Sequence, residues 1–311
     1  MKKLKIHFSN VNFNSTSGPN SFATRLAREL VSREHQLVEQ NLSHTADAFL
    51  AFIEPSSQPP ENVRFLQRLD GIWFKPDQFE SHNRLIKWSY ENCDHVIWQS
   101  EFDKNMTTHH WGPRPGSVIR NGIEIKAQKI VQPNLIEIRQ KYEKVFVCSS
   151  SWHRQKRLKE NINLFSSLKE RHESSCLIVM GANPDFSTDD PDIFYTGNVP
   201  HSICLEVYAM ADWMIHLAWL DHCPNVVVEA LSQKTPVICT NSGGTHELVR
   251  GSGIIIPEST PYNFELCDYD NPPDIEVSSF DLKDIDVGTR EDLSIAAVAD
   301  QYEKVLRETN G

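Results

Sequence analysis

Short apolar runs and helical patterns alternate along the whole chain. In the first half, the predicted strands are Leu4–Ser9, Asp47–Phe52, Val63–Leu69, His95–Gln99 and Ser117–Arg120. Between the first two, apolar residues recur at helical spacing from Phe22 to Leu30, and Asn20 or Ser21 offers an N-cap. Strands that alternate with helices are typical of βαβ units and a parallel sheet.

The alternation stops in a polar stretch that contains Pro133 and then starts again. Residues 126–141 therefore form a predicted linker. Beyond it the pattern predicts strands Lys144–Ser149, Cys176–Met180, Trp213–Leu217 and Pro236–Thr240, and helices Lys156–Arg171, His201–Met210 and Asn225–Ser232. We thus expect one domain at 1–125 and a second at 142–290. An amphipathic helix would close the chain within 291–311 and could pack back on the first domain.

Composition and charge narrow the class of protein. A length of 311 residues fits two domains, and 39% hydrophobic residues are typical of a globular protein. The net charge of -11 argues against nucleic-acid binding and leaves at most peripheral membrane contact. The longest apolar run, Ala209 to Leu220, is interrupted by charged and polar residues, so no membrane span is expected.

The seven cysteines lie mostly in apolar runs, which favours buried thiols and a reducing, cytoplasmic setting. No Cys-x-x-Cys pair occurs in the sequence, so a metal cluster is not expected.

The residues between Trp219 and Leu231 carry the clearest chemical signal. Pro224 suits the start of a helix, which would leave the amides of Asn225 and Val226 at a helix N-terminus, where anions bind. Glu229 lies one helical turn beyond Asn225, and Asp221 lies just ahead in the loop. Carboxylates that suit sugar or ribose hydroxyls would then lie beside donors that suit phosphate. The alternative is that Asp221 only satisfies its loop and that Glu229 is solvated.

A second signal follows the next predicted strand. Gly243 and Gly244 come directly after it, and a short helix would begin at Thr245. Paired glycines at the carboxyl end of a parallel strand let the backbone approach a ligand closely. A plain tight turn would need the same residues.

Together these motifs resemble the retaining GT-B glycosyltransferases of the family 4 type. The run from Asp221 to Glu229 resembles the Glu-x7-Glu motif of that family, and the Ser-Gly-Gly stretch ending in Glu247 and Leu248 resembles its continuation. The resemblance covers nearly the whole chain. It implies an α/β fold with two Rossmann-like domains whose parallel sheets face each other across a cleft.

The family resemblance also implies roles for these residues. Glu229 would bind the ribose of the nucleotide, and Asp221 would hold hydroxyls of the transferred sugar. Asp221 replaces the usual Glu, which leaves the donor sugar open. Lys156 matches the lysine that clamps the diphosphate. The arginine expected five residues earlier is Ser151, so we take Arg154 as its replacement.

Further contacts follow from the same resemblance. Gly18 lies in the donor and acceptor loop, and Asn198 falls where relatives contact the base. Asp70 could touch the acceptor or the transferred sugar, although Asp-Gly is also a common turn. Lys156 belongs to a basic cluster with Arg154, Arg157 and Lys159, of which two members are expected to be only solvated.

The sequence therefore predicts transfer of a sugar from a UDP- or GDP-sugar to a hydroxyl of a glycan, lipid-linked or small-molecule acceptor. Neither a cofactor nor a metal is expected, because Asp268-Tyr-Asp270 and Asp284-Ile-Asp286 lie far from any βαβ start. Two alternatives stay open. One is a nucleotide-sugar epimerase or hydrolase of the same fold, and the other is a degenerate protein that only binds sugar nucleotide.

Overall fold

The computed structural model describes residues 2–15, 17–277 and 280–308. The strands within this part of the chain are β1 (Lys5–Ser9), β2 (Gln36–Leu37), β3 (Ala48–Phe52), β4 (Arg64–Leu69), β5 (His95–Trp98), β6 (Gly116–Val118), β7 (Lys144–Ser149), β8 (Ser175–Met180), β9 (Ile193–Gly197), β10 (Trp213–His216), β11 (Val237–Thr240) and β12 (Gly253–Ile256). The helices are α1 (Gly18–Ser32), α2 (Phe79–His82), α3 (Arg84–Asn92), α4 (Glu101–Trp111), α5 (Pro133–Lys141), α6 (Leu158–Lys169), α7 (His201–Met210), α8 (Asn225–Ser232), α9 (Thr245–Val249) and α10 (Ile295–Arg307). Short 3₁₀ segments lie at Gln40–Thr45, Arg154–Lys156 and Glu291–Leu293.

The strands form two six-stranded sheets, and every pairing between the strands is parallel. The first has the order β2-β1-β3-β4-β5-β6 and the second the order β12-β11-β10-β7-β8-β9. Two compact units contain them. Unit 1 comprises Met1–Glu124, Phe264–Cys267 and Glu291–Gly311, and unit 2 comprises Ile125–Asn263 and Asp268–Arg290. The predicted α/β fold with two parallel sheets is confirmed.

The core of unit 1 lies between its sheet and two helices. The predicted apolar face of α1 is buried, from Phe22 to Leu30. The helix α10 shares this core, since Tyr302 packs with its ring centroid 6.0 Å from that of Phe22. His35 Nε2 also lies 2.9 Å from Glu303 Oε1 of α10. The last helix of the chain is thereby part of the first unit.

The core of unit 2 surrounds the central strands of its sheet. Strands β8, β10 and β11 are buried along their whole length. Helix α6 covers one face with Leu158, Ile162 and Phe165. A strand that is covered on both faces has no need for polar residues, which is why these strands appear in the sequence as continuous apolar runs.

Two local expectations need correction. The second half of the predicted linker forms α5, because Pro133 occupies the first turn of a helix, where its missing N–H does no harm. The helix predicted from Lys156 begins only at Leu158, since Arg157 adopts a left-handed conformation with φ of 54°. Lys156 therefore lies in the 3₁₀ turn before the helix.

All seven cysteines are free thiols, five of them buried and two half-buried. Burial raises the pKa of Cys93 to about 11. Among the described residues, no helix has both the length and the apolar character needed to cross a membrane.

Candidate functional site

The predicted donor-binding residues of unit 2 gather at the carboxyl ends of β10 and β11. The loop after β10 carries Asp221, and the loop after β11 carries Gly243 and Gly244. The two loops are joined directly, because the N–H of Gly244 donates to the carbonyl of Asp221 over 2.7 Å. This edge is where open parallel sheets bind their ligands.

Gly243 is required by this junction. Its φ is +65°, and a Cβ atom built on it would lie 2.4 Å from the carbonyl oxygen of Asp221. Any side chain would therefore collide with the backbone of the Asp221 loop. The paired glycines bring two backbone segments together, beyond the needs of a tight turn.

The segment that carries Lys156 is fixed onto the same loop. The N–H of Trp219 donates to the carbonyl of Gln155, and Gln155 Nε2 donates to the carbonyl of Trp219, both over 2.9 Å. Asn161 donates to the carbonyl of Lys156 and accepts from the N–H of Leu217, over 3.1 and 3.0 Å. Because both segments are held by reciprocal bonds, the position of Lys156 relative to Asp221 is set by the fold.

Lys156 and Asp221 form the central ion pair of the site. Lys156 Nζ lies 2.6 Å from Asp221 Oδ2, and the side chains are 18% and 16% exposed. The imidazole of His216 approaches the same oxygen, with its Nε2 3.6 Å from Oδ2. One carboxylate oxygen thus has two basic groups beside it.

The electrostatics of this cluster favour the charged carboxylate. Burial alone would raise the pKa of Asp221, but the positive charge of Lys156 and then the approach of the His216 imidazole outweigh it and hold that pKa well below its usual value. The next residue behaves differently, because burial lowers the pKa of His222 to about 4. At neutral pH the loop therefore presents an ionised Asp221 and a neutral His222.

Helix α8 begins where the sequence predicts. Pro224 is its N-cap, and the carbonyl of Pro224 accepts from the N–H groups of Val227 and Val228. The N–H of Val226 has no acceptor within the described part of the chain. The start of this helix therefore keeps at least one amide that can bind an anion.

Glu229 lies one turn further along α8 and is only 7% exposed. His201, the first residue of α7, has its Nε2 3.1 Å from Glu229 Oε1. A buried carboxylate needs such a partner. The alternative in which Glu229 is a solvated surface residue is therefore wrong.

Thr245 adds a polar atom at the start of α9. It is fully buried, and its Oγ1 has no hydrogen-bond partner within the described residues. Orphaned hydroxyls are rare in protein interiors. The atom follows Gly244 directly and so lies next to the junction with the Asp221 loop.

The basic cluster divides into different roles. Arg157 is buried and tied to structure, with Nη1 2.7 Å from Glu258 Oε1, Nη2 3.1 Å from Oε2, and Nη2 2.7 Å from the carbonyl of Pro273. Arg154 and Lys159 are exposed. Lys156 is the member of the cluster that faces Asp221.

The remaining predicted residues belong to other elements. Asn198 is exposed and directly follows β9 in unit 2. Gly18 is the first residue of α1 in unit 1. Asp70 follows β4 in the same unit and is paired with Arg68, while Gly71 has a φ of +114°. Neither residue lies in a turn or bend, so what the structure shows for Asp70 is its ion pair with Arg68.

The two Asp-x-Asp sequences show no ligand cluster. Asp268 is used by its own turn, because its carboxylate accepts from the amide side chain of Asn271 over 2.5 Å and from the N–H of Asp270 over 3.3 Å. Within the described ranges, no group of three or more His, Cys, Asp or Glu side chains is arranged to hold a metal ion.

The sequence analysis missed both histidines of the site. His216 ends the apolar strand β10, and a polar residue at the carboxyl end of a buried strand was the available signal. His201 begins α7, whose bounds were predicted correctly. Its pairing with Glu229 depends on the packing of α7 against α8, which no local pattern encodes.

Comparisons with known proteins concern the domain that carries this site and the fold of the chain. Residues 143–265 match the family model of glycosyl transferases group 1. HepE from Anabaena, solved in complex with UDP-glucose, is similar in structure with a TM-score of 0.68 and 14% identity, over 97% of this chain and 99% of that one. A glycosyltransferase from Rickettsia africae is similar with a TM-score of 0.65 and 15% identity, over the full length of both chains. Sucrose-phosphate synthase from Thermosynechococcus elongatus is similar with a TM-score of 0.69 and 13% identity, over 98% of each chain.

A comparison with curated protein sequences finds no match. The structural similarities, all at low sequence identity, define the fold as that of the GT-B glycosyltransferases. The matched residues contain the whole cluster around Asp221 and Glu229. Residues 143–265 of unit 2 therefore match glycosyl transferases group 1, and the whole chain has the GT-B fold. The resemblance inferred from the sequence is confirmed for this domain and for the fold.

Proposed function

We propose that this protein is a retaining glycosyltransferase that moves a sugar from a UDP- or GDP-sugar to an acceptor hydroxyl. The observation that carries the proposal is the Lys156–Asp221 pair beside the start of α8. Its setting, a group 1 domain at the carboxyl edge of a parallel sheet, supports it. The similar fold of HepE, which was solved with UDP-glucose, supports the choice of donor class.

The diphosphate of the donor would lie against Lys156 and the amides of Asn225 and Val226. An ammonium group and a helix N-terminus both favour a phosphate oxygen, and both act most strongly where water is partly excluded. Arg154, which is exposed in the same 3₁₀ turn, would supply a second cation at the rim. These groups would also stabilise the charge that grows on the leaving diphosphate.

The nucleoside and the sugar would occupy either side of that diphosphate. Glu229, held by His201, would accept hydrogen bonds from the ribose hydroxyls. Asp221 would accept from hydroxyls of the transferred sugar through the oxygen that Lys156 leaves unpaired. Gly243, Gly244 and the orphaned Thr245 Oγ1 would lie against the donor, and Asn198 would contact the base.

The chemistry then needs no separate general base. The anomeric carbon passes through an oxocarbenium-like state as its bond to the diphosphate oxygen breaks. The acceptor hydroxyl attacks from the face that the diphosphate leaves, which retains the configuration, and its proton passes to the leaving phosphate oxygen. Gly18 would bind the donor, and Asp70 would serve the acceptor side. We propose no metal, and we expect activity to persist in EDTA.

The first test is a panel of UDP-, GDP- and ADP-sugars, scored by the shift in melting temperature. A donor at 100 times its dissociation constant adds about 2.7 kcal/mol to the free energy of unfolding. The proposal expects UDP- or GDP-sugars to stabilise the protein and the matching nucleotide to appear when acceptor is present. Release of nucleotide without any acceptor would favour the hydrolase alternative, and binding without turnover would favour a protein that only binds.

A further inference from the structure

His216 holds a position that the proposed function leaves unused. It ends β10, it is 4% exposed, and its Nε2 has no hydrogen-bond partner within the described residues. The group nearest to Nε2 is the carboxylate of Asp221, whose Oδ2 lies 3.6 Å away. A buried imidazole nitrogen that stops just short of a carboxylate lacks a bond that a small movement would complete.

Lys156 occupies the oxygen that His216 approaches. Its Nζ lies 2.6 Å from the same Oδ2. The proposed function, on which this inference rests, requires Lys156 to bind the diphosphate. Asp221 would then lose its main partner while its side chain is only 16% exposed, and an unpaired carboxylate in such a place is strongly unfavourable.

We propose that His216 is a positioning residue that takes over Asp221 Oδ2 when the donor draws Lys156 to its diphosphate, and that its imidazole takes up a proton from solvent in this step. Two changes favour the protonated imidazole. The ammonium of Lys156 is no longer beside Oδ2, and the diphosphate adds negative charge nearby. His216 then holds Asp221 with its other oxygen towards the sugar.

The elements packed against β10 contain few groups that could take up this proton instead. Strands β7 and β11 carry Cys148 and Cys239, whose pKa values burial raises far above neutrality. Arg157, which precedes α6, is neutralised by Glu258. Helix α8 carries Glu229, which is paired with His201.

Two further imidazoles lie in the loops around Lys156. His222 is neutral, because burial lowers its pKa to about 4. His153 is the competing candidate, since burial and then the charge of Lys156 lower its pKa, and a movement of Lys156 would relieve the second cause. The experiment must therefore separate His216 from His153.

Calorimetric titration in buffers with different ionisation enthalpies measures the protons taken up as the donor binds. The probe is the sugar nucleotide that stabilises the protein most in the panel above. Its diphosphate is esterified at both ends, so it does not titrate near neutrality. The expected result for the wild-type protein is uptake of a fraction of a proton, up to about one, between pH 6.5 and 8.

Three glutamine variants assign the proton. His216→Gln keeps an N–H donor but cannot be protonated, so uptake should vanish while the donor still binds. His153→Gln should keep the uptake. His7→Gln is the matched control, because His7 is a histidine of the same 4% exposure on β1 of unit 1, and it should behave as the wild type.

Activity gives a second readout. His216→Ala leaves Asp221 without its replacement partner, and kcat should fall about 10- to 100-fold with a smaller change in KM for the donor. Compared with His216→Ala, His216→Gln should recover most of the lost kcat, because its amide N–H can still donate to Asp221 Oδ2.

The possible outcomes separate this proposal from the proposed function. Binding without proton uptake by the wild-type protein overturns the role of His216, and so does uptake that survives in His216→Gln. Neither result depends on whether an alanine variant folds. If no sugar nucleotide binds at all, the proposed function fails and the role of His216 fails with it.

Discussion

Each unit of this protein contains an ion pair at or beyond the carboxyl ends of its parallel strands. The two ion pairs differ in the groups that surround them. In unit 1, Arg68 and Asp70 are 1% and 14% exposed. The Arg68 guanidinium also donates to Asn121 Oδ1 over 2.6 Å and lies 4.4 Å from the ring centroid of Phe22. This pair is enclosed by partners that belong to the fold.

In unit 2, the partners of the Lys156–Asp221 pair are incomplete. His216 Nε2 stops 3.6 Å from Asp221 Oδ2, Thr245 Oγ1 has no partner within the described residues, and α8 begins with an available amide at Val226. Polar networks that are fully satisfied rigidify one structure. The pair in unit 2, which lies beside an available amide and two buried polar atoms without partners among the described residues, is the better placed of the two to bind a ligand.

The largest effect should follow from Lys156→Ala. Loss of the ammonium removes the main charge proposed to stabilise the leaving diphosphate, so kcat/KM should fall about 1000-fold. The measurement is steady-state transfer from the donor found in the panel. Lys159→Ala, an exposed lysine in the first turn of α6, is the control and should keep wild-type activity. Equal activity of the two variants would show that Lys156 has no role in the transfer.

Asp70→Asn tests the pair in unit 1. It leaves the buried Arg68 without a charged partner, which should lower the free energy of unfolding by about 3 kcal/mol in a denaturant titration. The dissociation constant for the donor should not change, because the proposed donor residues other than Gly18 belong to unit 2. A higher KM for the acceptor would support the acceptor-side role proposed for Asp70, whereas unchanged stability would contradict the importance of its pair with Arg68.

The sequence was sufficient for the fold and for one half of the site. The bounds of β7, α7 and α8 were predicted without error, because buried strands are continuous apolar runs and because Pro224 marks a helix start. Strands β2, β9 and β12 were missed, since the first has two residues and the other two are only partly buried. The weakly amphipathic α5, with Leu135 as its buried residue, was taken for a linker.

The other half of the site depends on packing between distant segments. Arg157 looked like a candidate for the diphosphate, but its partner Glu258 lies 101 positions further along the chain. The pairing of Lys156 with Asp221 spans 65 positions, and only the resemblance to a family suggested that both serve one donor. Contacts of this kind have no local pattern, so spacing alone cannot predict them.

Acid should weaken unit 2 through His222. Its pKa falls from 6.5 to about 4 in the folded protein because burial disfavours the charged ring. The unfolded chain therefore gains a proton first as the pH drops, and up to about 3 kcal/mol of stability is lost between pH 6.5 and 4. The melting temperature of His222→Gln should fall less over this range than that of the wild type. Parallel curves for the two proteins would contradict the burial of this ring.

The smallest effect should come from Glu229→Gln. The neutral amide still accepts one hydrogen bond, so KM for the donor should rise about 10- to 30-fold while kcat changes less. Glu206→Gln is a matched control, because Glu206 is also 7% exposed but accepts from the N–H groups of Val131 and Gln132. That control should lower the melting temperature and leave KM unchanged. Similar values of KM for the donor in both variants would show that Glu229 does not bind the donor.

A crystal structure of the protein with a bound sugar nucleotide tests the central claim most directly. The account predicts a diphosphate oxygen within hydrogen-bond distance of Lys156 Nζ and of the Val226 amide, with the ribose hydroxyls on Glu229. Asp221 Oδ2 should then lie against His216. A nucleotide bound elsewhere, with Lys156 still on Asp221, would contradict it.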